Sequence, residues 1–273
     1  MLVFPNAKLN LGLYVTQRRP DGFHTLESVF VPLPWTDALE LLPAPAGQAT
    51  SLTLTGRPIP GDPATNLCVR AYELLQADFP QLPPVQMYLH KIVPIGAGLG
   101  GGSADAAFAL KATNDLFGLN LPADTLESYA RRLGSDCAFF IRNQPVLARE
   151  KGDVFEEIDL RLAGTGCAVV YPNLHISTAE AYARIVPRPP QHPLREALAQ
   201  PMSTWRHTVG NDFETALTPA HPVLAEIKQQ LYAAGATYAS LSGSGSAVYG
   251  LWKGTEPPAL AWPAEYTAWQ GTL

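Results

Sequence analysis

The densest chemistry in the chain is a run of glycines, Gly96-Ala97-Gly98-Leu99-Gly100-Gly101-Gly102, leading into Ser103-Ala104-Asp105-Ala106-Ala107. Five glycines in seven residues let backbone N–H groups converge on an anion without obstruction by Cβ. Ser103 is of the type that caps a helix, and a helix starting there aims unpaired N–H groups and a positive dipole end at a phosphate. The small Ala104, Ala106 and Ala107 let another element or a ligand come close to that first turn. Glycines alone could make only a sharp loop; the direct step into an alanine-rich helix favours phosphate. A Walker A loop is disfavoured, because Gly102 stands where its lysine would precede the Ser103 hydroxyl. Gly96, Gly98 and Gly101 match GxGxxG, yet a dinucleotide fold also wants an acidic residue ending a strand about 20 residues on. That distance falls at Phe117-Gly118-Leu119-Asn120, which reads as a helix exit. Elsewhere, Lys8 lies on the polar face of an apolar strand, Asp136 sits in a Gly-Ser-Asp turn, and Phe23-His24 follow a Pro-Asp-Gly turn. Taken singly, these read as a surface lysine, a turn aspartate and a loop histidine.

The elements that position these residues alternate between strand and helix patterns. Leu9, Leu11, Leu13 and Val15 recur at spacing two, with Lys8 and Asn10 on the other face, so 7–15 is expected as a half-buried strand. Further strands are expected at 26–31, 38–42, 51–55 and 85–91, and helices at 65–79, 103–117 and 124–133. Beyond them follow a strand at 167–171, a short helix at 179–185 capped by Ser177 or Thr178, and a helix at 222–234 ended by Gly235. Strands at 238–241 and 247–252 flank the loop Ser242-Gly243-Ser244-Gly245-Ser246. Asn211-Asp212-Phe213-Glu214 is expected to start a helix, and the proline-dense 187–193 an exposed loop or hinge. Without strict βαβ alternation, the pattern favours an α+β architecture of two lobes, 1–155 and 156–273.

Composition bounds the function. The 273 residues suffice for one large domain or two smaller ones with a substantial core. Hydrophobic residues make up 47% and charged residues 16%, which excludes disorder of the whole chain. A net charge of −5 and a pI near 5.7 argue against nucleic acid or an anionic membrane as partner. No apolar run reaches the length of a membrane span, and no signal peptide is expected at the N-terminus. Cys68, Cys137 and Cys167 are odd in number and widely spaced, so buried thiols in a reducing cytoplasm are expected rather than disulfides or a metal pair. Prolines number 26, about twice the usual share.

Pro94-x-Gly96-x-Gly98-Leu99-Gly100-Gly101-Gly102-Ser103-x-Asp105-Ala106-Ala107 resembles the ATP-binding motif of the GHMP small-molecule kinases. Pro5-Asn6-Ala7-Lys8-Leu9-Asn10-Leu11 resembles that superfamily's N-terminal motif, and Leu241–Ser246 its C-terminal glycine motif. Arg19-Pro20-Asp21-Gly22-Phe23-His24 and Gly134-Ser135-Asp136-Cys137-Ala138-Phe139-Phe140 set the chain beside those members that act on a cytidine-diphosphate-linked polyol for isoprenoid synthesis. The resemblance implies an N-terminal lobe like ribosomal protein S5 domain 2 and a ferredoxin-like C-terminal lobe. It implies ATP as co-substrate with Mg2+, and Lys8 and Asp136 as a catalytic pair, Asp136 being the base. ATP would be held by Asn66, Pro94, Gly96, Gly98, Leu99, Gly100, Gly101, Gly102 and Ser103, although helix capping also explains Asn66. The substrate would meet Asn10, Phe23, His24, Thr178 and Tyr182, with His24 reading the cytosine edge and Tyr182 supplying the partner ring. Phe23 stands where the family commonly shows Tyr, keeping the ring and losing a hydroxyl. No carboxylate cluster names metal ligands, and the chain is expected as a monomer or homodimer.

Three other readings remain open: a GHMP kinase acting on homoserine, mevalonate or a sugar, a nicotinamide dehydrogenase, and a non-catalytic ATP-binding regulator. The Asp21-Gly22-Phe23-His24 segment argues against the first.

Overall fold

The chain opens with a two-residue strand β1 (Leu2–Val3) and two long strands, β2 (Asn6–Arg18) and β3 (His24–Thr36). The computed structural model describes residues 1–254 and 256–273. The chain forms two compact units, each assembled from separate stretches of sequence. Unit one comprises Met1–Ala7, Trp35–Ile95 and Gly100–Gln144; unit two comprises Lys8–Pro34, Gly96–Leu99 and Pro145–Leu273.

Unit one is a sheet in the order β1-β4-β6-β5 with helices. β4 (Ala38–Pro43) pairs antiparallel with β1 and with β6 (Val85–Lys91), while β5 (Ser51–Gly56) runs parallel to β6. The register sets Leu39 opposite Leu89 and Leu41 opposite Met87, so one face of the pair is apolar and buried. The helices are α1 (Leu67–Asp78), α2 (Gly101–Leu116), α3 (Ala123–Leu133) and α4 (Phe139–Arg142). α2 packs against α1, α3, α4 and β4. Its Ala104, Ala106, Ala107, Ala109 and Ala112 are fully buried, because small side chains are what a helix enclosed on several sides can carry.

Unit two contains a second sheet, β2-β3-β7-β8, through β7 (Val146–Arg149) and β8 (Val154–Glu157). Its third sheet is antiparallel in the order β10-β11-β9-β12: β9 (Gly166–Tyr171), β10 (Tyr238–Leu241), β11 (Val248–Trp252) and β12 (Thr267–Thr272). Helices α5 (Thr178–Ala183), α6 (Leu194–Ala199), α7 (Met202–Thr208), α8 (Asp212–Leu217) and α9 (Val223–Ala233) complete it. Leu224, Ile227 and Leu231 of α9 recur at helical spacing and join a core with Leu13, Val15, Val170, Phe213, Leu241 and Val248. Each such side chain, fully buried, contributes about 1.5–3 kcal/mol. Beyond its pairing with β3, β2 is also occupied along its backbone: Leu13 N donates to Gly210 O (2.9 Å), Val15 N to Asp212 Oδ2 (2.8 Å), and Arg188 N to Val15 O (3.0 Å). The proline-dense segment at 187–193 thus runs beside this strand.

Two sequence expectations need correction, and a third, left between two residues, is decided. β2 is buried on both faces from Asn6 to Leu13, so its polar residues are enclosed rather than solvated. α2 begins at Gly101, with Gly100 in the left-handed region (φ 69°) at its N-cap and no side-chain cap; Ser103 lies inside the first turn. The N-cap of α5 is Ser177, whose Oγ accepts from Glu180 N (3.1 Å), and Thr178 is the first helical residue. β7, β8, α6, α7 and β12 are not expected from the sequence.

Candidate functional site

In unit two, three stretches distant in sequence meet around β2. Lys8 N donates to Leu99 O (2.9 Å), Ala247 N to Ala97 O (3.0 Å), and Ser242 Oγ to Gly98 O (2.9 Å). The N-terminal motif, the first half of the glycine run and the C-terminal glycine loop are therefore one hydrogen-bonded assembly. Gly98 is required there: its φ is +78°, and a Cβ would lie 2.0 Å from Ser242 O.

Polar side chains buried in this assembly are held in a chain. Lys8 Nζ donates to Asn10 Oδ1, Asn10 Nδ2 donates to Ser28 Oγ (2.8 Å), and Ser28 Oγ donates to Gly12 O (2.6 Å). Asn10 N donates to Ser242 Oγ (3.3 Å), and Tyr249 OH donates to Asn10 O (2.8 Å). Lys8 Nζ also sits 4.3 Å above the Phe30 ring. An ammonium only 4% exposed is costly unless hydrogen-bonded, and this network fixes where its charge is delivered. Asn10 is thus placed as a support of Lys8. Ser28 and Tyr249 escape the sequence reading, since a buried serine and a strand tyrosine give no local signal.

Further along unit two, His24 and Tyr182 are stacked, with ring centroids 4.8 Å apart and planes 26° from parallel. Tyr182 in turn meets Phe213 edge-on at 5.0 Å, which anchors it to the core. Burial first, and then the charge of Arg18, hold the His24 imidazole below its usual pKa. It is neutral at pH 7, with one ring nitrogen a donor and the other an acceptor. Phe23 is 58% exposed, with Lys151 Nζ 4.4 Å over its ring; Lys151 also pairs with Asp21 (2.9 Å). The turn is held by Arg19 N to Phe23 O (2.8 Å) and Phe23 N to Asp21 Oδ1 (3.1 Å). Thr178 is exposed at the start of α5.

In unit one, a cavity of about 200 Å³ is lined by Leu54, Ile59, Asn66, Lys91, Gly102 and Asp105, among others. Its walls are largely apolar, with a few polar groups, as a base-binding pocket requires. Asn66 caps α1, its Oδ1 accepting from Cys68 N (2.9 Å), and lines the cavity as well. Pro94 is buried one residue before Ile95, which also lines it. Gly102 is exposed, and nothing lies within 4 Å of a Cβ built on it. Asp136 is half-buried in the turn between α3 and α4, beside the buried Cys137. The Cys137 thiol is pushed up to about 11, chiefly by burial, with the Ser103 hydroxyl as a partner that lowers it. Lys91 Nζ, under the cavity, donates to Asp37 Oδ2 (2.5 Å) and Asp105 Oδ2 (2.6 Å). Sequence reasoning misses this buried cluster; its one signal is an aspartate set among alanines that are all buried. Among the described residues no three His, Cys, Asp or Glu side chains gather as a metal site. No helix there is long and apolar enough to cross a membrane.

Comparison with known proteins gives the family and the fold. The family model for the GHMP kinases N terminal domain matches residues 66–144, and that for the GHMP kinases C terminal region matches 194–262. The chain is 49% identical over 276 residues to 4-diphosphocytidyl-2-C-methyl-D-erythritol kinase of Bacteroides thetaiotaomicron, covering 100% of both chains. It is 50% identical over 257 residues to the same enzyme of Bacteroides fragilis, covering 94% of this chain and 93% of that one. Among solved structures, a 4-(cytidine 5'-diphospho)-2C-methyl-D-erythritol kinase superposes with a TM-score of 0.81 at 31% identity, covering 100% of this chain and 98% of that one. A homoserine kinase from Cytophaga hutchinsonii shares the fold, with a TM-score of 0.65 at 20% identity, over 90% and 84% of the chains.

Proposed function

The chain belongs to the GHMP kinase family, and from that membership we propose how its residues divide the work of phosphorylating 4-diphosphocytidyl-2-C-methyl-D-erythritol. It is an ATP-dependent kinase of isoprenoid precursor synthesis. The acceptor is the 2-hydroxyl of the substrate. Asp136 takes the proton of that hydroxyl as its oxygen attacks the γ-phosphorus of ATP, and the bond to the ADP leaving oxygen breaks. Lys8, with its ammonium oriented by Asn10, offsets negative charge on the attacking oxygen and the phosphoryl group. Phosphoryl transfer asks mainly for positioning and charge stabilisation, and a buried lysine oriented by Asn10 and Phe30 supplies both.

The adenine lies in the unit-one cavity with Asn66, and the phosphates meet backbone N–H groups at Gly96, Gly98, Leu99 and Gly100 to Ser103. Mg2+ would enter with ATP and would supply positive charge to offset that of the transferring phosphate. The local N–H donors and Lys8 answer the difficulty of gripping two polyanions with a net charge of −5. The three buried thiols suit a reducing cytoplasm as the place of reaction.

The observation that carries the choice of substrate is the His24–Tyr182 stack. A neutral imidazole offers one donor and one acceptor to a cytosine edge, and an anchored tyrosine ring offers a stacking face. Homoserine, mevalonate and simple sugars have no base to use either. The test is ADP release with 4-diphosphocytidyl-2-C-methyl-D-erythritol, homoserine, mevalonate and a hexose as acceptors. Turnover on the first alone is expected; faster turnover on any of the others would reassign the substrate.

A further inference from the structure

Lys91, at the end of β6, is 2% exposed and lies between two carboxylates. The two carboxylates are not equivalent. Asp37 Oδ1 accepts from Ile92 N (2.5 Å) and Val93 N (2.8 Å), and its Oδ2 from Lys91 Nζ. Asp105 accepts from Lys91 at Oδ2 and faces the Asp37 carboxyl, which opposes its ionisation, while its Oδ1 is buried with no hydrogen-bond donor. Two carboxylates against one ammonium leave this enclosed cluster one negative charge in excess. The excess falls on Asp105, the carboxylate with a single donor, in the first turns of α2.

The cluster lies directly beneath the start of that helix. A Cβ on Gly101 would stand 3.0 Å from Lys91 Nζ, and Lys91, Gly102 and Asp105 all line the same cavity. Asp105 is four residues from Gly101, about 6 Å along the helix axis. We propose that binding of a phosphorylated nucleotide at the α2 N-terminus is coupled to uptake of one proton by the Asp37–Lys91–Asp105 cluster, with Asp105 as the acceptor. This inference rests on the placement of ATP given above and goes beyond it by assigning a proton-linked role to a residue outside the transfer step.

The physical cause is charge. Phosphate arriving within a turn or two of the uncompensated carboxylate raises its proton affinity, because a like charge disfavours the ionised form. The groups facing Asp105 are Lys91 from β6, Asp37 from the β3–β4 corner and Cys68 from α1. Burial pushes the Cys68 thiol up, so it stays neutral. Burial would lower Lys91, but the charges of Asp105 and Asp37 hold it raised, so it stays an ammonium. Asp105 is the group within range: burial raises it most, Lys91 pulls it back and Asp37 raises it again, to about 7. The proton comes from solvent and binds one Asp105 oxygen, and no bond in the nucleotide changes.

The experiment is calorimetric titration of ADP into the full chain at pH 8, where the nucleotide phosphates are ionised, in buffers of different ionisation enthalpy. The added phosphate charge raises the proton affinity of Asp105, so ADP binding should take up a fraction of a proton, read as a heat that changes with the ionisation enthalpy of the buffer. In Asp105→Asn, whatever its affinity for ADP, the heat per mole of ADP bound should not depend on the buffer. Asp37→Asn leaves one carboxylate for one ammonium and should also show no such dependence. Should either variant fail to fold, the 13C carboxyl signal of Asp105 in the native chain, followed with and without ADP at pH 8, reads the same protonation. Heats independent of buffer in the native chain, or undiminished uptake in Asp105→Asn, overturn the proposal while leaving the ATP site standing. A chain that binds no ADP overturns the ATP site itself and this inference with it.

Discussion

Two glycines of one loop separate what the backbone needs from what a phosphate needs. Gly102 lies in the first turn of α2 with open space where a Cβ would stand. Replacing it with alanine costs no packing, and a helical Gly→Ala exchange gains up to about 0.5–1 kcal/mol. The new methyl, however, stands over the N–H groups assigned to the phosphates. Weakening one charge-assisted hydrogen bond costs about 1.5–3 kcal/mol, so Gly102→Ala should raise the KM for ATP about 10- to 100-fold with no loss of Tm. Gly98→Ala should behave oppositely. Its φ of +78° costs an alanine about 1–2 kcal/mol. Its Cβ, 2.0 Å from Ser242 O, forces that carbonyl away and weakens the 3.0 Å bond it accepts from Gly245 N, worth about 1 kcal/mol more. The combined loss of about 2–3 kcal/mol lowers Tm by about 5–10 °C for a unit of this size. Thermal melts with ATP-dependent ADP release measure both. An unchanged KM for ATP in Gly102→Ala, or a native Tm in Gly98→Ala, would refute the reasoning.

Further expectations follow from the same geometry. Asp136→Asn should lower kcat by about 10²-fold or more while the KM for ATP changes little; coupled ADP release reads both, and near-native kcat would remove Asp136 from the base role. The depressed pKa of His24 means that protonation disfavours the folded stack. Its contribution is present at neutral pH and lost as the pH falls below the ordinary histidine range. Affinity for CDP, followed by calorimetry from pH 8 to 5, should therefore fall in that range for the native chain. His24→Ala should bind CDP several-fold more weakly and lose that pH dependence; native affinity would argue against the assignment. Asn66→Ala should lose about 1 kcal/mol with its helix cap and also bind ATP less well. Asn66→Ser keeps a capping oxygen, so a selective rise in its KM for ATP would separate the two roles, and equal KM values would leave only the cap.

Much of this arrangement is legible in the sequence, for reasons that differ by element. Strict alternation at Leu9, Leu11, Leu13 and Val15 marks β2, and Val85–Lys91 marks β6 with matching ends. The glycine run is visible because so many glycines have few other uses. Burial of Lys8 and Asn10 is not visible, because it comes from the loops 96–99 and 241–247 covering the second face of β2, a long-range event. The short β7 and β8 carry too few residues for a period to emerge. α6 and α7 are flanked by Pro193 and Pro201, whose helix-starting role looks like loop chemistry. Ser103 has the chemistry of a cap without the position, because a preceding glycine in the left-handed region takes that place with no side chain. Stacking of His24 on Tyr182 joins residues 158 apart in sequence, and only the motif resemblance links them.

The segment at 187–193 that runs beside β2 bears on strand pairing at the edge of its sheet. An unoccupied strand edge is a row of donors and acceptors that can template a strand from another molecule. Along β2 that row is already engaged, through Gly210, Asp212 and Arg188. Pro187, Pro189, Pro190 and Pro193 have no N–H to offer, so the segment covering the edge does not present a new ladder of its own. The prolines thus lie next to an edge of β2 that Arg188, Gly210 and Asp212 already occupy, and they add no free N–H beside the strand that carries Lys8.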